Sequence, residues 1–81
     1  MQEGMIKRSG SPAKAVIMDR YGREFGLDVA NYYEPDELTP VGAITAAHVG
    51  EMVRFDPAPT DNGHVTKAIR WPEGSWEGLI P

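Results

Sequence analysis

Five aromatic side chains, Tyr21, Tyr32, Tyr33, Trp71 and Trp76, are the residues of this chain best suited to recognition, and Lys14, Arg20, Arg23, Arg54, Lys67 and Arg70 set cations among them. Flat rings stack on bases while ammonium and guanidinium groups neutralise phosphates, which is the chemistry of a single-stranded nucleic-acid surface. The same residue types anchor protein interfaces, where a large ring seated in a groove carries much of the affinity. Catalysis finds less to work with. Ser9, Ser11 and Ser75 lie in Gly- and Pro-rich stretches where no base is held against them. Ser9-Gly10-Ser11-Pro12 has neither the spacing nor the lysine of a phosphate-cradling loop. His48 and His64 are too few for zinc without carboxylates placed nearby, and they read as a capping or surface group and an exposed hairpin residue. Glu34, Asp36 and Glu37 lack the calcium-loop pattern and read as a solvated acidic loop. No cofactor, metal or small-molecule substrate is implied, and the chain reads as non-enzymatic.

The scaffold that must position these groups is small. A chain of 81 residues makes one domain and buries roughly two-thirds of its unfolded surface, which leaves a thin core and no room for a deep cleft. Cysteine is absent, so neither disulfides nor thiolate metal sites contribute. No window approaches the ~18 consecutive apolar residues that cross a bilayer, and Met1-Gln2-Glu3-Gly4-Met5 lacks the apolar run of a signal peptide. A soluble, cytoplasmic protein without a membrane partner is expected. The net charge of −4 is unevenly spread. Lys7, Arg8, Lys14, Arg20 and Arg23 against Glu3 and Asp19 give residues 1–23 a charge of +3, whereas residues 24–51 carry six carboxylates and no Lys or Arg. A basic N-terminal strand lying beside the strand of Lys67 and Arg70 would make one positive face.

Alternation places the strands. Residues 1–12 end in a Ser-Gly-Ser-Pro turn composition and read as a flexible N-terminal segment. Ala13 to Met18 reads as the first strand, and Asp19-Arg20-Tyr21-Gly22 as a type I turn with Asp first and Gly last. Phe25, Leu27 and Val29 then share one face against Glu24, Gly26 and Asp28, which predicts a half-buried strand with Phe25 inward and a close backbone contact at Gly26. Asn31 to Tyr33 gives a short third strand. Thr39-Pro40 resembles a helix start, so one short helical turn is expected between Val41 and Val49. Val49 to Phe55 and His64 to Trp71 form a hairpin closed through Asn62-Gly63, with Val53 and Phe55 on one face. In its second arm Val65, Ile69 and Trp71 share a face with Lys67, an inconsistency that marks an exposed end or a bulge. Residues 13–71 thus read as the barrel and 72–81 as a C-terminal tail. That tail carries Trp76, Leu79 and Ile80, which either cover a barrel end or are presented to a partner.

Five short strands and one helical turn before the fourth suggest an all-β, OB-like barrel. Gly50, Val53, Phe55, Gly63, Ala68 and Ile69 occupy the places of a pattern that resembles the closing hairpin of the cold-shock domain family. Arg23-Glu24-Phe25-Gly26-Leu27 is similar to that family's second-strand motif. The resemblance implies binding of single-stranded RNA or DNA on an aromatic platform carried by strands two and three. Two expectations follow. The first is single-stranded nucleic-acid binding by Arg20, Arg23, Phe25, Tyr32, Tyr33, Arg54 and Lys67. The second is a protein-interaction module, a small regulator or inhibitor, that uses the acidic segment or Trp71, Trp76, Leu79 and Ile80.

Overall fold

The computed structural model describes residues 1–59 and 63–75. It is an all-β barrel of six strands: β1 (Gln2–Ser11), β2 (Lys14–Asp19), β3 (Glu24–Asp28), β4 (Tyr32–Tyr33), β5 (Met52–Pro57) and β6 (Val65–Arg70). They form one sheet in the order β3-β2-β1-β5-β6-β4. The sheet nearly closes on itself, because β3 meets the start of β6 in a parallel bridge between Gly26 and His64. A hydrogen bond from the Gly26 N–H to the Gly63 carbonyl fastens that seam, which is the close approach that a residue without a side chain permits. Further along the same path β4 pairs in parallel with β6, Tyr32 opposite Ala68 and Tyr33 opposite Ile69. β3 and β4 are therefore two pieces of one strand, separated by the 3-10 turn Val29–Asn31. The short strand expected at Asn31 to Tyr33 is thus present as β4, the sixth strand is β1, and the arrangement still fits an OB-like barrel.

Residues 1–12, expected to be flexible, form the longest strand instead. β1 is bonded on both edges, to β2 and to β5, so the barrel begins at residue 2 rather than 13. Its Gly- and Ser-rich composition hides this because the ladder is satisfied by backbone, and Gly4 is required by space. A Cβ there would lie 2.8 Å from the Met18 carbonyl oxygen and 2.9 Å from the Phe55 ring. The helical turn expected between Val41 and Val49 is a 3-10 turn at Ala46–His48 only; a segment this short cannot repay helix nucleation. His48 caps it, its Nδ1 accepting the Thr45 N–H at 2.9 Å.

The core consists of Ile6, Ala15, Ile17, Leu27, Tyr32, Ile44, Val53, Phe55, Val65 and Ala68, with Phe25, Val29 and Val41 packed against it. Phe25 points inward as the alternation predicts, its ring 5.1 Å from that of Phe55. The inconsistency at Lys67 is a bulge: pairing slips between Asp56 and Pro57, so Val65 and Ala68 both enter the core and Lys67 turns out. Ala68, expected on the outer face, is consequently fully buried. The Asp19–Gly22 turn forms as expected and is held by its first residue. Asp19, 2 % exposed, accepts the Tyr21 and Arg23 N–H groups at 2.9 Å and Arg23 Nε at 2.7 Å. Burial alone would raise the Asp19 pKa, but the bonds from Arg23 and Tyr21 outweigh it and hold the carboxyl below its ordinary value. No helix among the described residues is long and apolar enough to cross a membrane.

Candidate functional site

The barrel separates the expected nucleic-acid residues into three places. Arg20, Arg23 and Phe25 gather at the β2–β3 turn, where Arg23 lies 5.3 Å from the exposed Tyr21 ring and 6.0 Å from Phe25. Tyr32 is fully buried, edge-on to His48, so its ring cannot stack on a base. Its hydroxyl has no hydrogen-bond partner among the described residues. Burial, with the Glu51 carboxylate nearby, pushes the phenol well above its ordinary pKa. Tyr33, Arg54 and Lys67 come together in the third place, beside Trp71.

The register explains that meeting. Ile69 in β6 stands opposite Tyr33 in β4 and opposite Arg54 in β5. Lys67 and Trp71 lie two residues to either side of Ile69, so alternation brings both to its face. The result is a cross centred on Ile69, with cation–ring pairs on its diagonals. Lys67 Nζ lies 5.4 Å from the centre of the Tyr33 ring, and the Arg54 guanidinium carbon 4.6 Å from that of Trp71. The chain then turns back, the Gly74 N–H bonding to the Trp71 carbonyl at 3.0 Å. Gly74 lies so close to the indole that any Cβ there would overlap it.

Beside this cross lies a groove of about 390 Å³ lined by Met1, Pro35, Glu37, Arg54, Ile69, Arg70, Trp71, Pro72 and Glu73. One wall is the acidic segment, which the structure pins rather than leaves loose. Asp36 accepts the Leu38 and Thr39 N–H groups at 2.9 and 2.8 Å and the Thr39 hydroxyl at 2.5 Å, and these bonds lower its pKa. The Glu34 N–H bonds to the Thr39 carbonyl, and the Glu37 N–H to the Glu34 carbonyl. The loop so fixed holds Glu37 at φ +65°, a left-handed conformation that costs a non-glycine residue about 1–2 kcal/mol, and presents Leu38 81 % exposed. At its base Arg70 joins Glu34 at 2.8 Å to Glu51 at 3.2 Å.

The face that the cold-shock resemblance points to is different. Outward positions on β1, β2 and β3 form rows of Met5, Met18 and Glu24, then Arg8, Val16 and Gly26. No ring stands among them. Glu24 is taken by Lys7 at 2.6 Å and Arg8 at 2.9 Å, contacts that draw its pKa down to about 2. Nor does β1 lie beside β6: β5 intervenes, and the single positive face does not form. Arg23 pairs with Asp19, Arg54 with Glu3, Lys67 with Glu37 and Arg70 with Glu34 and Glu51. Among the described residues no group of three His, Asp or Glu is placed to hold a metal ion. His64 is exposed just before β6, as read from the sequence. Trp76, Leu79 and Ile80 lie outside the described residues.

Sequence reasoning weighed Trp71 and the acidic segment separately and missed that they face each other. Only the parallel pairing of β4 with β6 brings Pro35 and Glu37 to Trp71 and Pro72. Compared with family models, with curated proteins and with solved structures, the chain has no match in any of the three.

Proposed function

We propose that this chain is a small, non-enzymatic protein-interaction module whose recognition surface is the groove between the pinned acidic loop and Trp71. One observation carries this reading. Two independent interaction candidates of the sequence, the acidic segment through Pro35 and Glu37 and the ring of Trp71, line a single groove. A rigid loop with an exposed Leu at its tip binds without a large ordering penalty. A ring flanked by apolar and charged neighbours is the usual composition of an interface anchor. Single-stranded nucleic acid is the second reading, favoured by the Arg54–Trp71 and Lys67–Tyr33 stacks on one face. It ranks lower because those cations are already matched by carboxylates, and counterion release, the main driving force for polyanion binding, needs cations free to replace salt. A cytoplasmic setting goes with either reading.

Affinity capture from cell extract, compared between the native chain and the surface variants Glu37→Lys and Pro35→Arg, tests the proposal. Proteins retained by the native chain and lost from both variants are the expected result, together with no binding of a labelled oligothymidylate or oligouridylate at low salt. Identical capture by all three chains, or oligonucleotide binding that weakens steeply with salt, would overturn it.

A further inference from the structure

Resting on the interaction-module reading, we infer that the occupant of the Trp71 groove is a short, extended, proline-containing segment of a partner protein, with a Lys or Arg next to its prolines. The kind of backbone is decided by what the groove does not offer. It lies on the outer face of β5 and β6, across the sheet rather than along an edge: β5 is bonded to β1 and β6, and β6 to β5 and, at Ala68 and Ile69, to β4. A peptide laid there finds no free ladder edge, so strand addition is closed to it. A helix fits poorly as well. Four of the groove's nine lining residues, Glu37, Arg54, Arg70 and Glu73, are charged, a poor match for the continuous apolar face that an amphipathic helix lays into a groove. Polyproline II needs neither internal nor shared backbone bonds, is pre-ordered, and packs flat pyrrolidine rings on flat surfaces. The groove supplies those in Trp71, Pro35 and Pro72 over an Ile69 floor.

The charge requirement comes from the rim. Arg54, Lys67 and Arg70 are each held by a carboxylate, Arg70 by two. Counting those partners, the groove and its rim hold three basic side chains against Glu3, Glu34, Glu37, Glu51 and Glu73. Glu37 stands 61 % exposed and pairs with Lys67 at 3.9 Å through one oxygen, which leaves its other carboxylate oxygen open to a second cation. The left-handed backbone at Glu37 fixes where that carboxylate stands.

The test is a titration of the isotopically labelled full chain, followed by amide and indole N–H shifts, with three synthetic peptides. They are acetyl-Ala-Pro-Pro-Lys-Pro-Pro-Ala-amide, the same peptide with Glu for Lys, and the same peptide with Ala for every Pro. The Lys peptide should shift the Trp71 indole and the Glu37 and Ile69 amides and bind at least about tenfold more tightly than either control. Glu37→Lys should reverse the preference between the Lys and Glu peptides. Glu37→Gly, which suits the positive φ and keeps the loop fold, should lower affinity for the Lys peptide about tenfold without favouring the Glu peptide. Equal binding of the all-Ala peptide, or no groove shifts with any peptide, overturns the inference. Should capture of a partner from extract still depend on Glu37 and Pro35 in that event, the interaction-module reading stands and only the class of occupant is wrong.

Discussion

Replacing Asp19 with alanine should be among the most damaging single changes outside the apolar core. Its carboxylate is 2 % exposed and accepts three hydrogen bonds, from the Tyr21 and Arg23 N–H groups and from Arg23 Nε. Bonds to an ionised acceptor are worth about 1.5–3 kcal/mol where water cannot replace them. The side chain of Arg23 is 59 % exposed, so its share is screened and contributes under about 1 kcal/mol. Water also re-solvates part of the freed turn, and the expected loss is about 2–4 kcal/mol. For a chain of 81 residues, with total stability of about 4–12 kcal/mol, that is a large fraction. It corresponds to a fall in Tm of about 10–25 °C. Asp19→Asn keeps an acceptor for the two N–H groups but sets an amide against the guanidinium, and should lose about half as much. The pH dependence has a definite sign. The folded pKa of Asp19 lies below the ordinary aspartate value, so the carboxylate stabilises fully above about 3.9. The contribution fades as pH falls from the ordinary value through the lowered folded pKa, so the gap between native chain and Asp19→Asn should close in acid. Urea unfolding at several pH values measures this directly. A Asp19→Ala variant within about 0.5 kcal/mol of the native chain at neutral pH, or a gap that does not narrow in acid, would refute the reasoning.

Gly4→Ala should cost about 1–3 kcal/mol or prevent folding, since its methyl would meet the Met18 carbonyl, Ile17 and the Phe55 ring at 2.8–2.9 Å; thermal melts read the loss. Tyr32→Phe should be neutral or raise stability by up to about 1 kcal/mol, because it removes a buried hydroxyl that has no hydrogen-bond partner among the described residues; a clear destabilisation in urea would refute this. The Glu24 carboxyl should titrate near 2 by NMR and return toward 4.5 in a Lys7→Ala, Arg8→Ala double variant, whereas an unmoved titration would mean those contacts do not persist in solution.

The hairpin of β5 and β6 is legible in the sequence because its signals are local: apolar alternation at Val53 and Phe55, a glycine at φ +95° in Gly63, and a misplaced Lys67 that betrays a bulge. The inward turn of Phe25, Leu27 and Val29 is legible for the same reason. β1 is not, since what makes residues 2–11 a strand lies outside them. β2 bonds most of the length of β1 and β5 its first half, Gln2 to Met5, and Glu24 answers the charges of Lys7 and Arg8. Tyr32 and Tyr33 look alike in sequence, yet pairing beside β6 sends one inward and leaves the other on the surface. Of the candidate residues, Tyr33, Arg54, Lys67 and Trp71 do share a face, but their neighbours Pro35 and Glu37 could be found only through a parallel pairing that leaves no local trace.

The central position of β1 bears on how the chain is made. During synthesis its hairpin with β2 can zip up early, while the opposite edge waits for residues 52–55 to leave the ribosome. Through that interval a nascent chain carries one bare, ladder-ready margin.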